Sequence, residues 1–348
     1  MTGRAFITGV AGTALTAQER AFLRDAEPWG LIVFKRNVET PDQLAGLVDS
    51  FRAAVGRADA PVLVDQEGGR VQRLGPPHWP SYPAGAQYGR IWDRDPASAL
   101  EAARMGARLI ANDLMALGID VDCLPLADVP TPDADPVVGD RAYGESAEKV
   151  AAIAGAIADG LMEGGVLPVL KHLPGHGRAT ADSHHRLPTV TADRATLEAV
   201  DFAAFRPLAG LALGMTAHVV FSAYDPVAPA TTSVTMVQDV IRDSIGFEGL
   251  LMSDDISMGA LSGTLAERSA AALTAGCDVI LHCNGSIEEM RAVAGAVPAL
   301  TGDAGRRAAA ALAARRRPER EIDLAEVRRA FAALLAGGRA AGARMVLS

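Results

Sequence analysis

Short, almost continuously apolar segments alternate with longer amphipathic segments along the chain. The apolar segments predict β-strands at residues 5–9, 30–34, 61–65, 121–126, 166–170, 213–217, 249–253 and 278–282. The segments between them, such as 97–117 and 146–163, have helical periodicity. Apolar strands separated by helices are typical of a parallel sheet that is covered on its faces. Eight such units predict an α/β fold of the closed (β/α)8 TIM-barrel type, with a doubly wound open sheet as the alternative.

No linker interrupts this alternation, which predicts that residues 1–348 form one barrel domain. The stretch at about 302–341 is rich in Ala and Arg and helical in character. We expect it to pack on the outer ring of the barrel.

The composition excludes several classes of protein. A formal charge of −9 and a pI near 5.3 argue against a nucleic acid or an anionic membrane as partner. The cysteines (Cys123, Cys277 and Cys283) match no zinc or redox spacing. The N-terminus is too polar for a signal peptide, and no apolar run approaches the ~18 residues of a membrane span. We therefore expect a cytoplasmic protein, monomeric by default and without a cofactor.

Polar residues follow the predicted strands rather than precede them. Asp65 closes the strand PVLVD, Lys171 and His172 follow VLPVL, and Asp254 with Asp255 follows GLLMS. The carboxyl ends of barrel strands form the face on which active sites are built. We therefore expect these side chains to meet at one mouth of the barrel.

The segment LKHLPGHGRATADSHHRLPTV (170–190) has the densest chemistry of the chain. After Lys171 and His172 it has no helical periodicity, and a loop of this length is usually functional or disordered. Within it, Asp182 lies two residues before His184, a spacing at which the carboxylate can orient the imidazole. Such a pair can deliver and remove a proton near neutral pH. A mobile, histidine-rich surface loop is the alternative interpretation.

Three further segments carry candidate ligand-binding groups. VDQEGGRVQRL (64–74) offers Asp65 as an acceptor and Arg70 and Arg73 as donors beside a glycine turn, although a polar turn that caps the next helix has the same pattern. MSDDISM (252–258) offers adjacent carboxylates that can cap a helix, attack an electrophilic carbon or bind a metal. GDRAYGES (139–146) offers Arg141, although an arginine in a polar loop is more often simply solvated.

Taken together, the segments VDQEGGRVQRL, KHLPGHG, TADSHH, AHVVFSAYDP and SDDISMGAL resemble, in order and spacing, the bacterial β-N-acetylhexosaminidases of glycoside hydrolase family 3. The resemblance extends from about residue 28 to 285 and is strongest to the members that act in cell-wall recycling. It implies a retaining exo-β-N-acetylglucosaminidase that uses muropeptides as substrates, with Asp254 as nucleophile, His184 as acid/base and Asp182 as the group that tunes His184. The positions that would hold the sugar are Asp65, Arg73, Arg141, Lys171 and His172.

The sequence departs from the family pattern in places, and alternative functions remain open. Leu173 stands where an aromatic residue is common, His185 is not required by the motif, and we expect no β-sandwich domain. One alternative is a phosphorylase that uses the same site with phosphate as acceptor. Another is a metal-dependent hydrolase with His172, His176, His218 and Asp254 as ligands, and a third is a sugar-binding protein without catalysis.

Overall fold

The computed structural model describes residues 3–315 and 323–338. Eight parallel strands close into a barrel in the order β1-β12-β11-β9-β7-β6-β3-β2, which confirms the predicted fold. Their bounds are β1 Arg4–Thr8, β2 Pro28–Val33, β3 Val62–Val64, β6 Val121–Asp122, β7 Leu167–Leu173, β9 Leu213–Thr216, β11 Leu250–Asp255 and β12 Val279–His282. Strands β1 and β2 pair with each other, which closes the ring.

The remaining strands lie at the carboxyl ends of the barrel strands. β4 (Gln66–Gly68) and β5 (Val71–Gln72) form an antiparallel hairpin immediately after β3. β8 (Thr189–Val190) and β10 (Val220–Phe221) pair in parallel and tie the end of the long loop after β7 to the segment after β9. Both additions position loops over the mouth of the barrel.

Helices cover the outside of the barrel. Their bounds are α1 Ala17–Ala26, α2 Pro41–Val55, α3 Gly85–Trp92, α4 Pro96–Met115, α5 Ala147–Glu163, α6 Arg194–Thr196, α7 Leu265–Ala275, α8 Ile287–Ala296, α9 Gly302–Ala313 and α10 Leu324–Leu335, with a π-helix at Met236–Ser244. Side-chain caps fix several starts: Thr16 and Glu19 form a capping box on α1, and Thr264 and Glu267 form another on α7. None of the described helices is long and apolar enough to cross a membrane.

Small residues allow α4 and α5 to pack closely against each other. A Cβ at Gly160 would collide with the carbonyl oxygen of Arg104, so the two helices can approach this closely only with glycine there. At the C-terminal end, the ring of Phe331 on α10 packs against Gly106 of α4. Helix α10 therefore lies on the outer ring, while residues 316–322 and 339–341 of the predicted helical stretch lie outside the described residues.

Two strands extend further than the sequence predicts. Lys171 and His172 belong to β7, and Asp254 and Asp255 belong to β11, rather than following these strands. Both strands have a register irregularity at this point, between Leu170 and Leu173 in β7 and between Met252 and Asp255 in β11. Such irregularities leave residues outside the regular ladder and re-aim their side chains. The sequence-based prediction ends each strand too early because it follows the apolar run, and both apolar runs end before these polar residues.

Candidate active site

A cluster of opposite charges lies at the mouth of the barrel where β3 and β7 end. Lys171 Nζ lies 3.0 Å from Asp65 Oδ1 and 2.6 Å from Glu67 Oε1. Arg73 Nη2 donates to Asp65 Oδ2 at 3.0 Å. Arg141 holds Glu67 with two parallel bonds of 2.8 Å, from Nε to Oε2 and from Nη2 to Oε1. We call these five residues the charged cluster.

The pKa values in the charged cluster follow from this pairing. Burial alone would raise the pKa of Glu67, but Lys171 and Arg141 outweigh it and lower that pKa to about 2. Burial likewise acts to lower the pKa of Lys171, yet Glu67 and Asp65 raise it above its ordinary value. The carboxylates stay ionised and the ammonium group stays protonated. The cluster therefore presents fixed donors and acceptors of the kind that bind vicinal hydroxyl groups of a sugar.

Replacing Glu67 with glutamine is expected to lower the free energy of unfolding by about 3 kcal/mol at pH 7, because Lys171 and Arg141 would keep buried charges with less compensation. A carboxyl group whose folded-state pKa is lowered stabilises the protein above its unfolded-state pKa and loses this contribution as the pH falls through the folded-state pKa. The difference between wild type and variant should therefore shrink as the pH falls from about 4.5 to about 2.

Urea unfolding over this pH range measures the effect. The matched control is Glu163→Gln, which removes a more exposed carboxylate paired with Arg104 and should change the unfolding free energy by about 1 kcal/mol or less. A difference that stays constant with pH for Glu67→Gln contradicts the electrostatic explanation.

Asp128 holds His172, which follows Lys171 on β7, and His176, which lies in the loop after β7. Its carboxylate is fully buried, and Oδ2 lies 2.7 Å from Nδ1 of His172. Its Oδ1 accepts the backbone N–H of His176 at 2.7 Å. Burial opposes ionisation, but His172 and His176 outweigh it and lower the pKa of Asp128 to about 2. The carboxylate thus fixes the ring orientation of His172 and leaves Nε2 as the atom available for a ligand.

The two adjacent carboxylates of β11 have different environments. Asp255 is held by local bonds, accepting from Ser257 N at 3.1 Å, Ser257 Oγ at 2.6 Å and Cys283 N at 3.1 Å. Asp254 is partly buried, and its Oδ1 accepts the backbone N–H of Asp255 at 2.7 Å. Burial acts to raise the pKa of Asp254, but His218, His172 and Lys171 outweigh it, so this pKa lies below its ordinary value. Asp254 is therefore an ionised carboxylate at the mouth, as a nucleophile requires.

The loop after β7 brings Asp182 and His184 into contact. Asp182 Oδ1 lies 2.7 Å from Nδ1 of His184 and accepts the backbone N–H of the same residue at 2.9 Å. These contacts outweigh the effect of partial burial and lower the pKa of Asp182. The His184 side chain is 60% exposed, so Nε2 faces away from Asp182 toward solvent-accessible space. This is the arrangement of an oriented imidazole that can exchange a proton with a ligand.

The residue pattern alone missed Glu67 and Asp128 and did not distinguish Arg70 from Arg73, whereas the family resemblance singled out Arg73. Glu67 lies in the same segment as Asp65 and could have been noticed as a second acid beside a glycine turn, whereas the only signal for Asp128 is a lone acid in an otherwise apolar segment. Arg70 bonds Asp140 and the carbonyl groups of Pro136 and Val137, so it ties the β4–β5 hairpin to the loop that carries Arg141.

The metal-site alternative finds little support in the geometry of its proposed ligands. Both ring nitrogens of His218 are engaged, with Thr231 Oγ1 at 2.7 Å and the carbonyl oxygen of Asp255 at 3.0 Å. Nδ1 of His172 is held by Asp128, and Nε2 of His176 lies 3.0 Å from Ser183 Oγ. Within residues 3–315 and 323–338, no three His, Cys, Asp or Glu side chains are grouped so that they could hold a metal ion.

Comparisons with known proteins agree with this geometry. The family model described as the glycosyl hydrolase family 3 N-terminal domain matches residues 7–313. A β-hexosaminidase from Alkalilimnicola ehrlichii is 40% identical over 280 residues, which is 79% of each chain. The crystal structure of native NagZ from Neisseria gonorrhoeae has a TM-score of 0.83 and 31% identity, covering 100% of this chain and 96% of that one. The same protein in complex with N-trifluoroacetyl-D-glucosamine has a TM-score of 0.83 and 32% identity, covering 99% of this chain and 98% of that one.

Proposed function

Because the chain belongs to glycosyl hydrolase family 3, we propose that it is a retaining exo-β-N-acetylglucosaminidase that works through a covalent intermediate on Asp254. That it is a glycoside hydrolase of the β-N-acetylhexosaminidase type follows from its family and from relatives named β-hexosaminidase at 39–40% identity. The mechanism, the residue roles and the natural substrate are the proposal.

One observation carries the proposal: the ionised carboxylate of Asp254 lies at the end of β11, and the oriented imidazole of His184 lies on a loop that is hydrogen-bonded to the segment after β11. The backbone N–H of Gly259, in the segment after β11, donates to the carbonyl oxygen of His184 at 3.1 Å. Asp254, at the end of β11, therefore lies on the same segment that holds the His184 loop. A nucleophile and a proton donor on opposite sides of one glycosidic bond are what a retaining hydrolase requires.

In the proposed mechanism the charged cluster binds the hydroxyl groups of the terminal sugar and His172 contributes a further contact. Asp254 attacks the anomeric carbon while His184 protonates the departing glycosidic oxygen. Neutral His184 then takes a proton from water, and that water cleaves the glycosyl ester and restores the Asp254 carboxylate. Asp182 holds the imidazole by Nδ1 throughout and stabilises its protonated form. Retaining glycosidases ordinarily use two carboxyl groups about 5–5.5 Å apart, and here an imidazole takes the place of the second.

The proposed natural substrates are peptidoglycan-derived muropeptides with a terminal β-linked N-acetylglucosamine, processed in the cytoplasm. The support is the likeness to NagZ over nearly the whole of both chains and the N-acylated glucosamine bound in one of those structures. The basic form of an imidazole is uncharged, whereas the basic form of a carboxyl group is negatively charged. Replacing a carboxylate by this group therefore lowers repulsion with an anionic aglycone such as a muropeptide.

Hydrolysis of a chromogenic β-N-acetylglucosaminide, measured with and without a chelator and with and without phosphate, tests the reaction class. We expect turnover that resists the chelator, because both ring nitrogens of His218 and Nδ1 of His172 are already engaged by protein groups. We also expect no acceleration by phosphate and free N-acetylglucosamine as product. A rise in rate with phosphate, together with a sugar 1-phosphate product, would instead make the enzyme a phosphorylase. Loss of turnover with the chelator would support a metal-dependent hydrolase.

A further inference from the structure

The Asp182–His184 segment is held at two points by groups that do not belong to the proposed catalytic pair. On its inner side, Ser183 is 3% exposed and its Oγ shares a hydrogen bond of 3.0 Å with Nε2 of His176. His176 is itself 4% exposed, and its backbone N–H is fixed by the buried carboxylate of Asp128. Burial and the neighbouring His172 lower the pKa of His176 to about 4, so the imidazole is neutral over the range in which a glycosidase works. Protonation of His176 therefore does not break the contact with Ser183 near neutral pH.

On its outer side, the same segment is bonded to the chain that follows β11. The backbone N–H of Ala260 donates to the carbonyl oxygen of Ser183 at 3.1 Å, beside the bond from Gly259 to His184. A Cβ at Gly259 would lie 2.9 Å from the carbonyl oxygens of both His184 and His185. Real Cβ atoms do not approach backbone oxygens this closely, so only glycine allows the two loops to meet here.

We propose that His176 and Gly259 are positioning residues that latch the Asp182–His184 segment against the loop that follows the nucleophile strand. The inner contact fixes Ser183, the residue between Asp182 and His184 in the sequence. The outer contact fixes the backbone of His184 relative to Asp254. Neither residue belongs to the proposed catalytic pair or to the charged cluster. This inference rests on the proposed role of His184 and adds to it the device that sets where the imidazole stands.

The test compares two substrates whose leaving groups differ in their need for a proton. A β-N-acetylglucosaminide of 2,4-dinitrophenol leaves readily as an anion, whereas a disaccharide needs protonation of its leaving oxygen. The variants are Gly259→Ala, His176→Leu and His176→Gln, with Gly12→Ala as the control, because a Cβ at Gly12, on another loop at the same mouth, meets no atom within 4 Å. His184→Ala calibrates the size of the leaving-group effect, and the pH profile of kcat/KM is recorded for each protein.

We expect Gly259→Ala and His176→Leu to lower kcat/KM for the disaccharide by about tenfold or more, while kcat/KM for the dinitrophenyl substrate, which reports only the transfer of its sugar to Asp254, stays near wild type. His176→Gln, whose side-chain amide can still bond Ser183, should recover most of the loss. A latch that only supported the fold would reduce both rates together. That result, or full activity of Gly259→Ala, overturns the latch.

The outcome for His184→Ala separates the latch from the function on which it rests. If kcat/KM of this variant falls selectively on the disaccharide while that of Gly259→Ala and His176→Leu does not, the latch is wrong and the proposed acid/base stands. If its kcat/KM falls no more on the disaccharide than on the dinitrophenyl substrate, the acid/base assignment fails, and the latch fails with it. Because Gly259 and His176 lie on different elements, a failure of one variant to fold leaves the other as a test.

Discussion

Replacing Asp254 with asparagine is expected to reduce kcat by at least about 10⁴-fold, because removing a nucleophile abolishes the covalent route and leaves only substrate binding and the remaining polarisation of the site. The substitution is nearly isosteric, and the amide oxygen can still accept the N–H of Asp255 that Oδ1 accepts now. We therefore expect KM and the midpoint of thermal unfolding to change little. Steady-state kinetics on a chromogenic β-N-acetylglucosaminide, together with thermal unfolding, measures both properties.

The neighbouring carboxylate provides the control for this variant. The side chain of Asp255 accepts from Ser257 N, Ser257 Oγ and Cys283 N, so its function is to hold the local backbone. Asp255→Asn should lower the free energy of unfolding by about 1–3 kcal/mol, since an amide nitrogen cannot accept the bonds that a carboxylate oxygen accepted. Under conditions in which the Asp255→Asn variant is folded, it should retain most of the wild-type turnover. If Asp255→Asn is the inactive variant and Asp254→Asn is active, the nucleophile has been assigned to the wrong carboxylate.

Replacing His184 with alanine is the second large effect that we expect. The rate on a disaccharide should fall by about 10²–10⁴-fold, the usual contribution of general acid–base catalysis. The fall in the rate of glycosyl transfer to the enzyme should be much smaller for a dinitrophenyl leaving group, because that oxygen departs without a proton. Pre-steady-state kinetics separates this first step from hydrolysis of the intermediate, which needs His184 as base for either substrate.

His185→Ala is the matched control, since it removes an adjacent imidazole that is 83% exposed and lies 3.8 Å from Asp182. We expect its turnover to be close to wild type, because only His184 is oriented by a short bond to Asp182. Equal losses for the two histidine variants would mean that the loop contributes through its overall charge rather than through one oriented proton donor.

The barrel was predictable from sequence because its information is local. A strand buried on both faces needs a short apolar run, and each predicted run overlaps a strand of the observed barrel. The same reasoning placed the polar residues at one mouth, because parallel strands direct their carboxyl ends to the same side. The contact between Asp182 and His184 was also within reach, since it depends on a separation of two residues along the chain.

The partners within the site were not predictable, because folding brings them together from distant parts of the chain. Glu67 gains its importance from Lys171 and Arg141, which are more than 70 residues away in sequence. Asp128 is meaningful only beside His172. Arg70 and Arg73 lie on one hairpin, and nothing local distinguishes the one that reaches Asp65 from the one that ties the neighbouring loop. Tertiary position, rather than residue type, determines these roles.

The most direct test of a covalent mechanism is to trap the intermediate and locate it. A substrate whose sugar ring carries an electron-withdrawing fluorine and whose leaving group is highly activated should form the glycosyl-enzyme faster than water removes it. We predict that the intact protein then gains the mass of one fluorinated N-acetylglucosaminyl group, and that peptide mapping places it on Asp254 and not on Asp255. Turnover without any gain in mass, or a label on another residue, would contradict the proposed mechanism.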